Sequence, residues 1–78
     1  MENNQDIIKV DSKFKSCPGP IIDLNEAVKK ANKGQIIKLI ATDPAAPSDV
    51  KEWTGQVGHK ILKISESEGV YEIDIEVR

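Results

Sequence analysis

Cysteine, aromatic residues and long apolar runs are all scarce in this chain of 78 residues. The single cysteine cannot form an intramolecular disulfide, and no apolar N-terminal run resembles a signal peptide, so we expect a cytoplasmic protein. Trp, Tyr and Phe occur once each, and the core therefore has to be built from aliphatic side chains. No stretch is apolar for long enough to suggest a membrane span.

An excess of basic residues is also missing. Eleven Lys and Arg residues stand against thirteen Asp and Glu residues, which gives a net charge of −2. Because phosphate contacts need a basic surface, direct binding to nucleic acid is not expected. There is no repeat, low-complexity tract or linker, so the sequence predicts a single domain over residues 1–78, with residues 1–6 disordered, and a monomer.

Two stretches have the apolar spacing of amphipathic helices. The first is predicted from about Pro18 to Lys33, with Gly34 as its C-terminal stop. The second is predicted from about Pro47 or Ser48 to Val57, with Gly58 after it. Their predicted core faces carry Ile21, Leu24, Ala27, Val28 and Ala31 in the first helix, and Val50, Trp53 and Val57 in the second.

Four further stretches are rich in β-branched residues or alternate between apolar and polar residues, which predicts strands. They cover residues 7–10, residues 35–42, a segment that begins at His59, and residues 71–77. In the third strand Leu62 and Ile64 alternate with Ile61 and Lys63, and residues 65–69 form the hairpin loop that follows. The inward positions of the second and last strands are Ile37, Leu39 and Ala41, then Tyr71, Ile73, Ile75 and Val77.

The order β-α-β-α-β-β predicts an α+β protein. Its simplest arrangement is a two-layer α/β sandwich, with both helices packed on one face of a four-stranded mixed sheet. The other face would carry charges that pair across strands rather than a platform for phosphates. Those charged residues are Lys9, Lys38, Lys63, Glu72, Asp74 and Glu76.

The stretch Cys17-Pro18-Gly19-Pro20 is the candidate functional site. Proline is tolerated in the first turn of a helix and not deeper, which predicts that Cys17 lies at or beside the N-cap. We expect the Gly19 amide to point at the thiol, and the helix dipole and Lys15 to lower the pKa of Cys17. The alternative is an inert, buried cysteine beside an ordinary helix start.

His59 is a second candidate for chemistry. An imidazole in contact with Cys17 would suit a stand-alone thiol enzyme. The sequence does not bring the two residues together, and capping the start of the third strand is the other role open to His59.

Beyond these patterns, the sequence resembles the TusA/SirA family of small sulfur-carrier proteins. The resemblance rests on "CPGP", then "KGQIIKLIATDPAAPSDVKEW", then "GHKIL", and it covers about residues 8–77. The matching positions are Cys17, Pro18, Pro20, Gly34, Asp43, Pro44, Asp49, Val50, Trp53, Gly58 and His59. The sequence departs from the family at Phe14 and Lys15, where a Gly-Leu-like pair is usual, and at Gly19, where a longer residue is common.

The resemblance implies the sandwich described above and a function in sulfur relay. Cys17 would carry sulfur, as a persulfide or a thiosulfonate, between a donor such as a cysteine desulfurase or rhodanese-like protein and an acceptor protein. The family serves tRNA thiolation, molybdenum cofactor synthesis or sulfur oxidation, and its members act with partner enzymes, without a cofactor or metal. The alternative is a regulatory, RNA-binding or protein-binding module on the same fold.

Overall fold

The computed structural model describes residues 7–78, so the disorder predicted for residues 1–6 lies outside the described residues. The order of the elements is the predicted β-α-β-α-β-β. The elements are β1 (Ile8–Ser12), α1 (Gly19–Lys30), β2 (Ile36–Ala41), α2 (Ala46–Val57), β3 (Lys60–Ser67) and β4 (Val70–Glu76).

The four strands form one mixed sheet in the order β1-β2-β4-β3. β1 and β2 are parallel, with Val10 opposite Leu39, and β4 is antiparallel to both β2 and β3. A helix follows each of the two parallel strands. Because parallel strands end at the same edge of a sheet, the loops that lead into α1 and α2 lie side by side.

Both helices pack on one face of the sheet, and the core lies between the two layers. The central strands supply fully buried Leu39 and Ile73, and the helices supply Leu24 and Val50. The hydrophobic core cluster of the described residues consists of Leu24, Ala27, Ile37, Leu39, Ala41, Ala46, Val50, Trp53, Ile73, Ile75 and Val77. This is the predicted α+β two-layer sandwich, with an almost wholly aliphatic core.

The first helix is shorter than predicted. α1 ends at Lys30, and the extended backbone of Ala31 forms its C-cap, so the predicted end at Lys33 and Gly34 is wrong. Gly34 instead has a φ of 89° in the turn before β2, where its N–H donates to the Val77 carbonyl at 2.7 Å. The second helix ends at Val57, and Gly58 is its left-handed C-cap, as predicted.

The alternation predicted for the third strand is interrupted. The register shifts between Ile61 and Lys63, so that Ile61 lies opposite Ile75 and Ile64 lies opposite Ile73. Leu62 falls within this irregularity and is 45% exposed. Val57, which was predicted to lie on the core face of the second helix, is 46% exposed. The strand continues to Ser67, so the hairpin turn is shorter than the loop predicted over residues 65–69.

The open face of the sheet carries paired charges, as predicted. Lys38 Nζ lies 3.4 Å from carboxylate oxygens of both Glu72 and Asp74. Hydrogen bonds and attraction from these carboxylates, led by Asp74, raise the pKa of Lys38. Neither helix within residues 7–78 is long and apolar enough to cross a membrane.

Candidate functional site

Cys17 lies in the loop between β1 and α1, one residue before the helix cap. Pro18 is the N-cap, and its carbonyl accepts the N–H of Ile22 at 2.9 Å. Cys17 therefore lies beside the N-cap, one of the two positions that the sequence left open, and the proline makes the first helical contact. Gly19 and Pro20 form the first turn, with Pro20 buried in the core.

The Gly19 amide does not face the thiol. Its N–H donates to the Ser16 carbonyl at 2.8 Å, which tightens the turn just before the helix. Gly19 is instead constrained by Lys15, since a Cβ at position 19 would lie 3.1 Å from the Lys15 Cβ. The predicted contact between the Gly19 amide and sulfur is absent, and Gly19 instead lies close to the Lys15 side chain.

Lys15 does not support the thiol either. Its ammonium donates to Asp23 Oδ2 at 2.8 Å, and the same oxygen accepts the buried Ser12 hydroxyl at 2.6 Å. These two hydrogen bonds lower the pKa of the Asp23 carboxyl, Lys15 contributing more than Ser12. Lys15 therefore anchors the loop to α1 and leaves Cys17 without the cation that was expected to lower its pKa.

Asp43 ties the cysteine loop to the start of the second helix. One carboxylate oxygen accepts the Cys17 N–H at 2.8 Å, and the other accepts the Ala45 N–H at 3.0 Å. These backbone hydrogen bonds, that from Ala45 first, lower the pKa of Asp43. The residue holds the backbone of Cys17 in place while its charge stays close to the thiol.

A shallow groove of about 310 Å³ opens beside Cys17. It lies between the start of α1 and one side of α2 and is lined by Cys17, Pro18, Ile21, Asp49, Glu52, Trp53 and Gln56. Two of these seven residues carry carboxylates and none is basic. Trp53 forms an apolar wall that is held in position because its indole N–H donates to Asn25 Oδ1 at 3.0 Å.

The carboxylates raise the pKa of the Cys17 thiol to about 12, from an ordinary value of 9.0. The largest cause is the hydrogen bond between the thiol and Asp49, followed by burial, a hydrogen bond to Asp43 and repulsion by both negative charges. This reverses the predicted lowering. The α1 dipole favours the thiolate, but the two adjacent carboxylates outweigh it.

His59 makes its contacts with the C-terminus and with Trp53. Its Nδ1 accepts the Arg78 N–H at 3.0 Å, and its ring centroid lies 5.6 Å from that of Trp53. It does not line the groove that contains Cys17. Nothing in the described chain supports the direct Cys17–His59 contact that a stand-alone thiol enzyme would need.

The sequence-based reasoning missed the role of the acidic residues. Asp43 and Asp49 were named only as positions that match the family, and Glu52 was given no part in the site. The available signal was topological, since two parallel strands that are each followed by a helix bring both helix starts to one edge of the sheet. Within residues 7–78, no three His, Cys, Asp or Glu side chains are grouped so that they could hold a metal ion.

Comparisons with known proteins agree on one family. The family described as "Sulfurtransferase TusA" matches residues 8–77. A sulfur carrier protein TusA of Pseudomonas putida is 32% identical over 62 residues, which cover 80% of this chain and 78% of that protein. A candidate sulfur carrier protein of Aquifex aeolicus is 35% identical over 69 residues, which cover 88% of this chain but only 35% of the relative.

A solved structure has the same fold. The SirA-like protein of Desulfitobacterium hafniense superimposes with a TM-score of 0.77, covering 88% of this chain and 95% of that one. The sequence identity is 18%, so this likeness is evidence for the fold alone.

Proposed function

Because this chain belongs to the TusA family, we propose that it is a sulfur carrier that holds sulfur on Cys17 and relays it between partner proteins. The observation that carries the proposal is the position of the only thiol in the chain. It lies at an open groove on a loop that Asp43 and the Lys15–Asp23 pair hold in place. Pro18, Gly19 and Pro20 support that position by forming the helix start.

In the proposed transfer, the Cys17 sulfur attacks the outer sulfur of a persulfide on the donor protein. A new S–S bond forms on Cys17, the donor's S–S bond breaks, and the electron pair leaves with the donor thiolate. Cys17 then carries the persulfide and the donor is a thiol again. The same exchange in reverse order, with an acceptor thiolate attacking the outer sulfur on Cys17, delivers the cargo.

The thiol must lose its proton before it attacks. Asp49 raises the pKa of the thiol, so this loss is unfavourable until the negative charge beside Cys17 is offset. His59, whose Nδ1 already accepts the Arg78 N–H, is not part of this proposal.

Sulfur relay needs a donor, a cargo and an acceptor. The donor would be a cysteine desulfurase or a rhodanese-like protein, the cargo a persulfide or a thiosulfonate, and the acceptor a second protein. We further propose a single domain over residues 1–78 that works as a monomer in the cytoplasm. An RNA-binding role is disfavoured because the groove is acidic and the open sheet face pairs Lys38 with Glu72 and Asp74.

Intact-mass measurement tests the proposal. The protein is incubated with a cysteine desulfurase and L-cysteine, and separately with a rhodanese-like protein and thiosulfate. We expect a gain of one sulfur atom per chain, removed by a reductant, and no gain in the Cys17→Ser variant. Labile sulfur on Cys17→Ser, or no uptake by the native protein from either donor, would contradict it.

A further inference from the structure

Phe14 is an exposed aromatic side chain close to Cys17. It is 90% exposed, the highest value among the large apolar side chains of the described residues, in a chain with only three aromatic residues. Its φ of 67° lies in the left-handed region, which costs free energy for a residue with a Cβ. Phe14 therefore contributes little to the core, and its backbone conformation opposes folding.

The loop presents this ring on a firmly held backbone. The Phe14 N–H donates to Thr42 Oγ1 at 2.8 Å, and the next N–H, that of Lys15, donates to the Ser12 carbonyl at 3.2 Å. The Lys15 side chain is bound to Asp23 at 2.8 Å. A ring held in this way loses less conformational freedom on binding than one on a loose loop.

The ring lies next to an acidic groove. Phe14 borders a depression that Lys15 and Asp43 also line, and Cys17 borders the neighbouring groove with Asp49 and Glu52. The residues between Phe14 and Pro18 thus separate an apolar protrusion from a patch of carboxylates. A complementary surface would offer an apolar cavity on one side of the thiol and cationic side chains on the other.

We propose that Phe14 is the aromatic anchor by which the sulfur-donor protein docks. Its ring enters an apolar cavity of the partner, and Arg or Lys side chains of the partner pair with Asp49 and Glu52. The inference rests on the proposed function, because the partner is the protein that donates sulfur to Cys17. Aromatic anchors in fitted pockets account for a large share of binding energy at protein interfaces.

Sulfur loading of matched variants tests the anchor. Phe14→Gly removes the ring and also relieves the positive φ, Phe14→Tyr keeps the ring, and Leu62→Ala removes another exposed apolar side chain from β3. The protein donor is whichever of the desulfurase and the rhodanese-like protein loads the native chain. Inorganic polysulfide serves as a small donor that needs no docking.

We expect Phe14→Gly to lower the kcat/KM of loading from the protein donor at least about tenfold, mainly through KM. Loading from polysulfide should stay within about twofold, and the Tm should be equal to or higher than that of the native protein. Phe14→Tyr and Leu62→Ala should load like the native protein. Added salt should slow loading of the native protein more than that of Glu52→Gln.

Three results would overturn the inference. The first is equal loading of Phe14→Gly and the native protein by the protein donor. The second is an equal loss with polysulfide, which would show that Phe14 acts on the thiol and not on docking. The third is self-association of the native protein that Phe14→Gly abolishes, which would assign the ring to a second copy of the chain. If neither the desulfurase nor the rhodanese-like protein loads the native protein, the proposed function itself fails, and the inference fails with it.

Discussion

Replacing Asp49 by asparagine should make the Cys17 thiol easier to ionise. The thiol has a pKa of about 12 instead of 9.0, and its hydrogen bond to Asp49 is the largest cause. Two unit charges 4 Å apart interact by about 1 kcal/mol in water and about 4 kcal/mol near a protein surface. Because 1.36 kcal/mol shifts a pKa by one unit, even the smaller energy shifts the pKa of the thiol by about 0.7 of a unit. With the lost hydrogen bond added, we expect the ionisation midpoint to fall by about one unit or more.

The assay is the rate of alkylation by iodoacetamide as a function of pH. A fall of one unit in the pKa gives about ten times more thiolate at any pH well below the midpoint. Because a less basic thiolate is also a weaker nucleophile, with a Brønsted slope of about 0.4–0.5, the rate at such a pH should rise only about three- to fourfold. The midpoint and the rate therefore test the same cause independently.

Glu52→Gln is the matched control. It also removes one carboxylate from the groove, but Glu52 is not among the causes of the raised pKa of Cys17. We therefore expect Glu52→Gln to shift the ionisation midpoint of Cys17 less than Asp49→Asn does. The reasoning is refuted if Asp49→Asn leaves the midpoint unchanged or raises it, or if the native midpoint lies below that of the urea-unfolded chain, since the helix dipole would then dominate.

Two further predictions concern stability. Asp23→Asn should lower the free energy of unfolding by about 1–3 kcal/mol, because the carboxylate accepts hydrogen bonds from Ser12 and Lys15. Because these partners lower the pKa of Asp23, its carboxylate stabilises the folded protein at pH values above the unfolded pKa of about 3.9, and this stabilisation is lost as the pH falls. The urea-unfolding free energies of the native protein and the variant should therefore converge in acid. The raised pKa of Cys17 affects stability in base. Between pH 9.0 and about 12 the unfolded chain has lost the thiol proton while the folded chain keeps it. The free energy of unfolding therefore falls as the pH rises through this range. The stability of the native protein should therefore decrease more steeply than that of Cys17→Ser above pH 9, and parallel curves would contradict the raised pKa.

The element order and the two layers could be predicted because the local signals agree with one another. Apolar residues alternate along β4 and recur at helical spacing in α1, and each predicts the face that the structure buries. The strand β3 could not be predicted in the same way, because Leu62 looks like a core residue in any alternating pattern. Its exposure arises from the register shift between Ile61 and Lys63, which depends on pairing with β4.

The candidate site was predicted in position but not in electrostatics. Cys17, Pro18 and Pro20 identify the loop and the start of α1 from local chain geometry alone. The charge around the thiol depends on Asp43 and Asp49, which are far away in sequence and come close only because β1 and β2 are parallel. Lys15, by contrast, is near Cys17 in sequence, but its ammonium group pairs with Asp23 and not with the thiol.

The acidic groove gives the proposed carrier two chemically distinct states. A free thiol next to Asp49 and Asp43 stays protonated at neutral pH, and a protonated thiol resists alkylation and oxidation. A partner that pairs its own Arg or Lys side chains with Asp49 and Glu52 would offset the negative charge that keeps the proton on Cys17. On this view, docking and activation of the thiol are one electrostatic event. The same carboxylates that hold the empty carrier inactive would then restrict sulfur transfer to the partner whose charges complement them.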